Sequence, residues 1–266
     1  MPDPAPAGPA ATLLELDAIS KSFGRVVVAD SLSLTVGAGD LVGIVGPNGA
    51  GKSSRFGLIA GNLTPASGEI RFGGAQVTRL NPAARCRLGI GRTFQVPRPF
   101  GEMTVFENVL VAVQQGAGLR RRASYAAAAG VLERTGLTAE ANFPAERLGL
   151  LQRKRLELAR ALASGPRLLL LDEVAGGLTD PEVAQLVGIV RSIRAEGVAV
   201  IWIEHVVRAL TAAVERLVCL AAGSFIGDGS PAEVLANPAV REVFLGTEVT
   251  TSLTGPATGE SGLEGE

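Results

Sequence analysis

The sequence predicts an α/β fold with a mixed core sheet, an N-terminal antiparallel β subdomain and an inserted helical subdomain. An apolar run at 41–45 leads into a glycine-rich segment and then into a helical pattern, which is a strand–loop–helix unit. Four consecutive leucines at 168–171 fit a strand that is buried on both faces of a parallel sheet. Short strand patterns before residue 41 favour a separate antiparallel sheet that packs on this core.

The glycine-rich segment has the spacing of a P-loop. Its residues are Gly46, Pro47, Asn48, Gly49, Ala50, Gly51, Lys52 and Ser53, and Ser54 follows at the start of the helix. Backbone N–H groups of such a loop wrap a polyphosphate, and the helix dipole adds positive charge. Lys52 would contact the β- and γ-phosphates, and the Ser53 hydroxyl would ligate Mg²⁺. A plain glycine-rich turn is the alternative, but the lysine, the hydroxyl and the flanking elements favour a nucleoside triphosphate site.

Composition limits the possible functions. With 266 residues, 47% of them hydrophobic, the chain can form one large domain or two small ones with a substantial core. A net charge of −1 argues against a nucleic-acid partner. Cys86 and Cys219 have neither metal-site nor redox spacing, which is typical of a reducing compartment.

The two ends of the chain are predicted to be disordered, over residues 1–11 and 247–266. The first segment is rich in Pro and Ala and has no basic residue, so it does not resemble a secretory signal. No apolar run reaches the length of a membrane span, since even the stretch 206–226 contains Arg208, Glu215 and Arg216. We therefore expect any contact with a membrane to be made through a partner.

The N-terminal strands are predicted at Leu13–Ile19, Val26–Ala29 and Leu32–Val36, and another strand at Glu69–Phe72 follows the P-loop helix. Phe23 lies in a turn between the first two strands. Its position fits equally an aromatic ring that stacks on a nucleotide base and a side chain that fills a core turn.

A helical region follows in the middle of the chain. Thr104 with Glu107 three residues later is a capping box that predicts a helix start. An alanine-rich helix is expected at Ser124–Thr135. The arginines at 120–122 before it indicate either a solvated helix start or a site that docks a protein or lipid headgroup.

A further helix is predicted at Leu151–Ala163. Leucines and alanines form its apolar face, and Arg153, Lys154 and Glu157 are expected on the opposite, polar face. A helix at Pro181–Ala195, strands at Leu217–Leu220 and Ser224–Gly227, a capped helix at Ser230 and a last helix from Asn237 to Gly246 complete the chain.

Polar residues follow three of the predicted core strands. The strand Ile90–Phe94 is followed by Gln95, the leucine strand by Asp172 and Glu173, and the strand Val198–Ile203 by Glu204 and His205. The carboxyl ends of such strands are where open α/β sheets bind ligands. A lone histidine is more often structural, but this placement favours a functional His205.

The order of these features resembles an ABC-type ATPase subunit, a P-loop NTPase, over residues 13–246. The longer ATPases of branched-chain amino acid importers are most similar. That resemblance is carried by the residues Gly91 to Gln95, Arg98 to Val109, Lys154 to Leu162 and Asn237 to Gly246. It implies an ABC ATPase domain over 12–246 with a helical subdomain at about 97–163.

The resemblance implies a role for each site residue. Phe23 would stack on adenine, Gly46 to Ser54 would hold the phosphates, and Ser53, Gln95 and Asp172 would bind Mg²⁺. Glu173 would be the general base, and His205 would contact the γ-phosphate of ATP. Gln95 would also orient the attacking water, at the root of a loop that faces a permease.

The sequence departs from the family pattern at two places. The signature Leu-Ser-Gly-Gly-Gln, which is presented to the ATP of a second subunit, corresponds to Leu148, Gly149, Leu150, Leu151 and Gln152. Loss of the serine hydroxyl predicts weaker hydrolysis, and Leu151 is expected to crowd the phosphate. After Glu173, Thr179 stands where the family has Asp or Asn, which puts a contact across the dimer in doubt.

The resemblance implies partners and a location: transmembrane permease subunits, a second ATPase subunit, indirectly a solute-binding protein, and no nucleic acid. The chain would lie on the cytoplasmic face of the plasma membrane, peripheral through the permease. Importers of amides, urea or aromatic acids remain alternatives. A non-transport ABC ATPase is a further alternative, although no second cassette or long coiled-coil insert is visible in the sequence. The last alternative is an ATP-binding module with a weakened signature.

Overall fold

A computed structural model describes residues 12–47, 52–120, 122–205 and 207–245. The strands are β1 Thr12–Phe23, β2 Val26–Gly37, β3 Leu41–Val45, β4 Ser67–Phe72, β5 Ala75–Gln76, β6 Ile90–Arg92, β7 Leu168–Asp172, β8 Ala199–Ile203, β9 Arg216–Ala221 and β10 Ser224–Gly229. The helices are α1 Lys52–Ala60, α2 Pro82–Arg87, α3 Val105–Gln115, α4 Arg122–Thr135, α5 Leu150–Ala163, α6 Asp180–Ala195, α7 Val207–Ala213, α8 Pro231–Ala236 and α9 Pro238–Leu245. The predicted disordered ends and Gly246 lie outside these ranges.

An antiparallel sheet forms the N-terminal part, with strand order β2-β1-β4-β5. The prediction of two strands at 26–29 and 32–36 is wrong, because β2 runs through both. Ser31 has a left-handed backbone with a φ of 46°, and its N–H donates to the Ser20 hydroxyl at 2.9 Å. This local irregularity interrupts the side-chain pattern without ending the strand.

The second sheet has the order β10-β9-β3-β8-β7-β6, and every neighbouring pair is parallel except β9 with β10. The predicted mixed core sheet is thereby confirmed. The four leucines of β7 are fully buried, as a strand covered on both faces requires. Strand β6 ends at Arg92, two residues earlier than predicted, and the prolines at 97 and 99 follow soon after.

Successive side chains of β7 pack into two different cores. Leu169 and Leu171 lie in a cluster with residues of the helices α3 to α6, whereas Leu168 and Leu170 lie in a cluster with α1 and the antiparallel sheet. The strand period of two explains this division. The central sheet is therefore covered by the helical region on one face and by the antiparallel sheet and α1 on the other.

The capping boxes predicted at Thr104 and Ser230 are both present, at the starts of α3 and α8. The prediction for α5 is wrong at two residues, because Lys154 and Glu157 are only 5% and 3% exposed. Glu157 accepts hydrogen bonds from the Arg98 backbone and the Arg160 guanidinium at 2.8 and 2.7 Å. Charge alone predicted a solvent-facing position, but the loop after β6 covers this face of the helix.

Helices α2 and α7 have no counterpart among the predicted elements. Both are short, with six and seven residues, and neither offers a window long enough to show helical periodicity. None of the helices in the described ranges combines the length and the apolarity that crossing a bilayer requires.

Candidate active site

The parallel strands bring the predicted site residues to one edge of the central sheet. Asp172 is paired in register with Ile203, and Ile44 is paired with the same residue on the other side of β8. The residues after β3, β7 and β8 therefore emerge side by side, as expected at the carboxyl edge of an open sheet.

The P-loop sequence begins directly after β3. Gly46 is required by close packing, since a Cβ there would lie 2.3 Å from the Leu220 carbonyl oxygen. Pro47 follows it, whereas Asn48 to Gly51 and the side chains of Lys52 and Ser53 lie outside the described part of the chain. The α1 backbone begins at Lys52, and Ser54 is half-buried in its first turn. The strand and helix that should flank a P-loop are thus both present.

Gln95, Glu173 and His205 meet at the sheet edge. The Gln95 side-chain amide donates to Glu173 Oε2 at 2.5 Å, and His205 Nδ1 lies 3.6 Å from the same oxygen. Glu173 is 16% exposed at the side chain, and His205 is 48% exposed. One carboxylate oxygen is therefore shared between an amide and an imidazole, close to solvent.

The Glu173 backbone is held in an unusual conformation. Its φ of 48° lies in the left-handed region that residues other than glycine rarely adopt. Its N–H donates to the Ile203 carbonyl at 2.9 Å, and its carbonyl accepts from Lys154 Nζ at 3.1 Å. Neighbouring strand β8 and helix α5 together fix the direction of the Glu173 side chain.

Asp172, at the end of β7, is 2% exposed and contacts Arg92 at 3.0 Å between carboxylate and guanidinium. Its backbone N–H donates to the Thr93 hydroxyl at 3.1 Å. The Arg92 guanidinium lies 5.8 Å and 5.6 Å from the ring centroids of Phe56 and Phe94. Aromatic packing and the ion pair together hold this cation beside the carboxylate.

The oxygen donors at this edge fit Mg²⁺. Among the described side chains, no three His, Cys, Asp or Glu residues converge on a metal cage. Mg²⁺ does not need one, because it is usually bound through one or two carboxylates together with waters and substrate phosphates. The buried carboxylate of Asp172 is a suitable hard ligand.

Glu204, which follows β8, is fully buried. Its Oε1 accepts hydrogen bonds from the Ala175 backbone at 2.6 Å and the Trp202 indole at 3.1 Å, while its buried Oε2 has no hydrogen-bond partner among the described residues. Burial raises the pKa of this carboxyl, against the lowering by its hydrogen bonds. Glu204 thereby fixes the chain just after Glu173.

Phe23 ends β1 and is 49% exposed, so the alternative of a core turn is wrong. The Lys21 ammonium lies 5.4 Å from the ring centroid. The exposed ring remains available to stack on a base.

The residues at the signature position begin α5. Gly149 is the N-cap and makes no side-chain capping bond. Leu148 and Leu151 are buried, whereas Leu150 is 47% exposed and Gln152 is half-buried. Leu150 is therefore the leucine of this segment that faces outward, and the expectation that Leu151 crowds a phosphate stays a prediction.

Thr179 acts at the start of α6. Its N–H and its hydroxyl both donate to Glu182 Oε2 at 2.8 Å. The residue that departs from the family pattern thus contributes to a helix cap.

The residues Arg92, Lys154 and Glu204 were not assigned to the site from sequence. Arg92 and Glu204 do have a usable signal, because each lies within three residues of a predicted site residue at a strand end. Lys154 has none, since its charge predicted a solvent-facing position.

Comparisons with known proteins identify the family. Residues 29–176, more than half of the chain, match a family model described as "ABC transporter". Residues 226–250 match a second, "Branched-chain amino acid ATP-binding cassette transporter".

Curated relatives match over nearly their whole length. The "High-affinity branched-chain amino acid transport ATP-binding protein BraF" of Pseudomonas aeruginosa is 35% identical over 249 residues, which is 88% of this chain and 98% of that protein. The corresponding LivG protein of Salmonella typhimurium is 34% identical with the same coverage. The "Lipopolysaccharide export system ATP-binding protein LptB" of Acidithiobacillus ferridurans is 35% identical over 236 residues, 89% of this chain and 98% of that protein.

Solved structures confirm the fold. The ADP conformation of MJ1267, an ATP-binding cassette of an ABC transporter, superposes with a TM-score of 0.82 at 29% identity, over 89% of this chain and 100% of that one. A nucleotide-free ATP-binding cassette from an ABC transporter superposes with a TM-score of 0.80 at 29% identity, over 88% of this chain and 98% of that one. The chain belongs to the ABC transporter family as an ATP-binding cassette, in which ATP hydrolysis powers transport.

Proposed function

We propose that this chain binds and hydrolyses ATP to power the uptake of branched-chain amino acids. The contact of Gln95 with Glu173 at 2.5 Å, beside His205, carries the catalytic part of the proposal. The family match at 226–250 and the similarity to BraF and LivG support the transported solute.

Phosphoryl transfer to water needs positioning and charge neutralisation more than covalent help. Glu173 is the general base, which accepts a proton from the attacking water at its carboxylate. Gln95 orients that water from the neighbouring strand end, and His205 contacts the γ-phosphate from the exposed side. The P-loop at 46–53, with Ser54, holds the phosphates, and Phe23 stacks on adenine.

Mg²⁺ would be held by Asp172, Gln95 and the Ser53 hydroxyl, and it would neutralise charge on the β- and γ-phosphates. Asp172 ends β7, and the Thr93 hydroxyl accepts a hydrogen bond from its backbone N–H, which supports this role.

The transmembrane permease would dock over the groove between α2, β6, α3 and α5. This cavity of about 300 Å³ is lined by residues that include Arg92, Phe94 and Arg160. Phe94 lines it, and the exposed side chains of Phe94, Val96 and Phe100 in the segment after β6 would be covered by the permease. The chain would thus lie on the cytoplasmic face of the plasma membrane and serve a solute-binding protein indirectly.

A second ATPase subunit would receive the segment Leu148–Gln152.

The similarity to LptB favours a second candidate, the ATP-binding subunit of a lipopolysaccharide exporter. The C-terminal family match weighs against it.

Reconstitution in liposomes tests the proposal. The chain, transmembrane subunits and a second ATPase of a branched-chain amino acid importer from the same genome are assembled with their binding protein. ATP hydrolysis and uptake of labelled leucine are then measured. We expect Glu173→Gln to abolish both, whereas Glu133→Gln, an exposed change on α4, leaves both intact. Hydrolysis that Glu173→Gln does not reduce would contradict the catalytic assignment, and hydrolysis without leucine uptake would contradict the solute.

A further inference from the structure

Lys154 lies one turn into α5 and is 5% exposed. Its ammonium group donates to the backbone carbonyls of Gln95 at 3.2 Å and Glu173 at 3.1 Å. The side chain thus extends from the helical region to two separate loops at the edge of the central sheet.

These two loops carry the pair of residues whose side chains meet. Gln95 donates to Glu173 through its side chain at 2.5 Å, while Lys154 bonds to the main chain of both. A displacement of the lysine would therefore change the relative position of the amide and the carboxylate.

The Glu173 backbone needs such support. Its left-handed φ of 48° is strained for a residue with a Cβ, and such conformations persist only where the surroundings fix them. The Ile203 carbonyl holds the N–H side of the residue, and Lys154 holds the carbonyl side.

The burial of this lysine is unfavourable on its own. Burial lowers the pKa of Lys154, and the charges of Glu204 and Glu173 oppose that lowering. Lysine is rarely buried unless it is paired, and an apolar side chain at this place on α5 would avoid the desolvation of a charge. The two hydrogen bonds to catalytic loops distinguish Lys154 from an ordinary core residue.

We propose that Lys154 is a positioning residue that couples α5, and hence the segment Leu148–Gln152 at its start, to Gln95 and Glu173. The inference rests on the proposed catalytic roles of these two residues. A shift of α5, when a second subunit contacts its first turn, is transmitted through a single ammonium group to the base and to the residue that orients water.

The test is Lys154→Met in the full chain, with ATP hydrolysis, binding of a fluorescent ATP analogue and backbone hydrogen exchange as readouts. The methionine variant loses two hydrogen bonds from a charged donor, which position Gln95 and Glu173. We therefore expect kcat to fall about tenfold or more, while the affinity for the analogue is unchanged. Exchange should rise in residues 93–96 and 172–176. The matched control is Arg153→Met, which removes the same charge from the exposed neighbour, whose guanidinium bonds to the Glu146 carbonyl.

Unchanged kcat, or unchanged exchange in the two segments, would overturn the inference about Lys154. With normal wild-type hydrolysis that Glu173→Gln abolishes, the proposed function would still stand. A wild-type chain that does not hydrolyse ATP would overturn the proposed function. Hydrogen exchange in Lys154→Met would then still show whether Lys154 holds the loops of Gln95 and Glu173 in place. If Lys154→Met does not fold, Lys154→Gln is tested with the same readouts and the same expected results. Its side chain is shorter and uncharged, so it lacks the charged donor that bonds to both carbonyls.

Discussion

Arg92 and Asp172 form an ion pair at 3.0 Å between the ends of two neighbouring parallel strands. Asp172 is 2% exposed, and the Arg92 side chain is 16% exposed. The carboxylate proposed to serve Mg²⁺ therefore has a cation of the protein beside it. Mg²⁺ and the guanidinium have to share or compete for the same negative charge.

We expect Arg92→Gln to lower the Mg²⁺ concentration at which binding of an ATP analogue is half-maximal, because Asp172 loses a competing cation. The measurement is a Mg²⁺ titration at a fixed concentration of fluorescent analogue, repeated with Mn²⁺ detected by electron paramagnetic resonance. Arg87→Gln is the control, since Arg87 lines the same groove and carries the same charge. A rise in the half-maximal concentration would mean that Arg92 orients Asp172 and does not compete.

Gly149→Ser should strengthen the altered signature. In the proposed dimer, a hydroxyl there would donate to a phosphate of the ATP bound by the second subunit, which predicts an increase in ATP hydrolysis of about tenfold. As the N-cap of α5, the new serine should raise the free energy of unfolding by only a few tenths of a kcal/mol, which is about the difference between Ser and Gly at an N-cap. A Cβ at Gly149 would lie 2.8 Å from Gln152 Oε1, the end of a flexible side chain that can move.

Gly149→Ala is the matched control for this change, since it adds the Cβ without the hydroxyl. Hydrolysis rates of the reconstituted complex are compared for the three chains. An equal increase with alanine would assign the effect to helix geometry and would contradict a role for the hydroxyl.

Glu204→Gln should change how stability depends on pH. Burial raises the pKa of Glu204 above its ordinary value of 4.5, and the charge of Glu173 acts in the same direction, whereas the hydrogen bonds to Glu204 and the nearby His205 and Lys154 act against it. Above pH 4.5 the folded chain keeps a proton that the unfolded chain has lost, so this group makes the free energy of unfolding fall as pH rises. The glutamine variant lacks that decrease, and its stability relative to wild type should grow with pH.

Urea unfolding at a series of pH values measures this difference, with the exposed Glu133→Gln as control. A difference that is constant with pH, or that shrinks as pH rises, would show that Glu204 does not keep its proton in the folded chain.

Arg85→Met should destabilise the fold by about 3 kcal/mol, because buried carbonyls lose a charged donor. The fully buried Arg85 guanidinium donates to the carbonyls of Leu58 and Ile59 at 2.6 and 2.8 Å, and thereby caps the end of α1. Burial lowers its pKa to about 10. Urea unfolding against Arg87→Met, an exposed change on the same helix, measures the effect. If Arg85→Met and Arg87→Met lowered the free energy of unfolding equally, the capping role of Arg85 would be contradicted.

Local patterns predicted most of the framework. The P-loop spacing, the leucine run of β7 and the capping boxes at Thr104 and Ser230 are signals within a few residues of one another, and the elements they predicted are present. The parallel order of the strands then placed Gln95, Asp172, Glu173 and His205 at one edge, since parallel strands end together.

The sequence alone determined that the chain has a P-loop, buried parallel strands and polar residues at their ends, because these depend on spacing and periodicity. Only the tertiary structure decided that Lys154 is buried against the loops that carry Gln95 and Glu173, that Arg92 pairs with Asp172 and that Arg85 caps α1. These contacts join residues between 19 and 80 positions apart. A charged side chain looks solvent-facing in its own helix or strand, and its surroundings are set by chain segments that its local pattern does not contain.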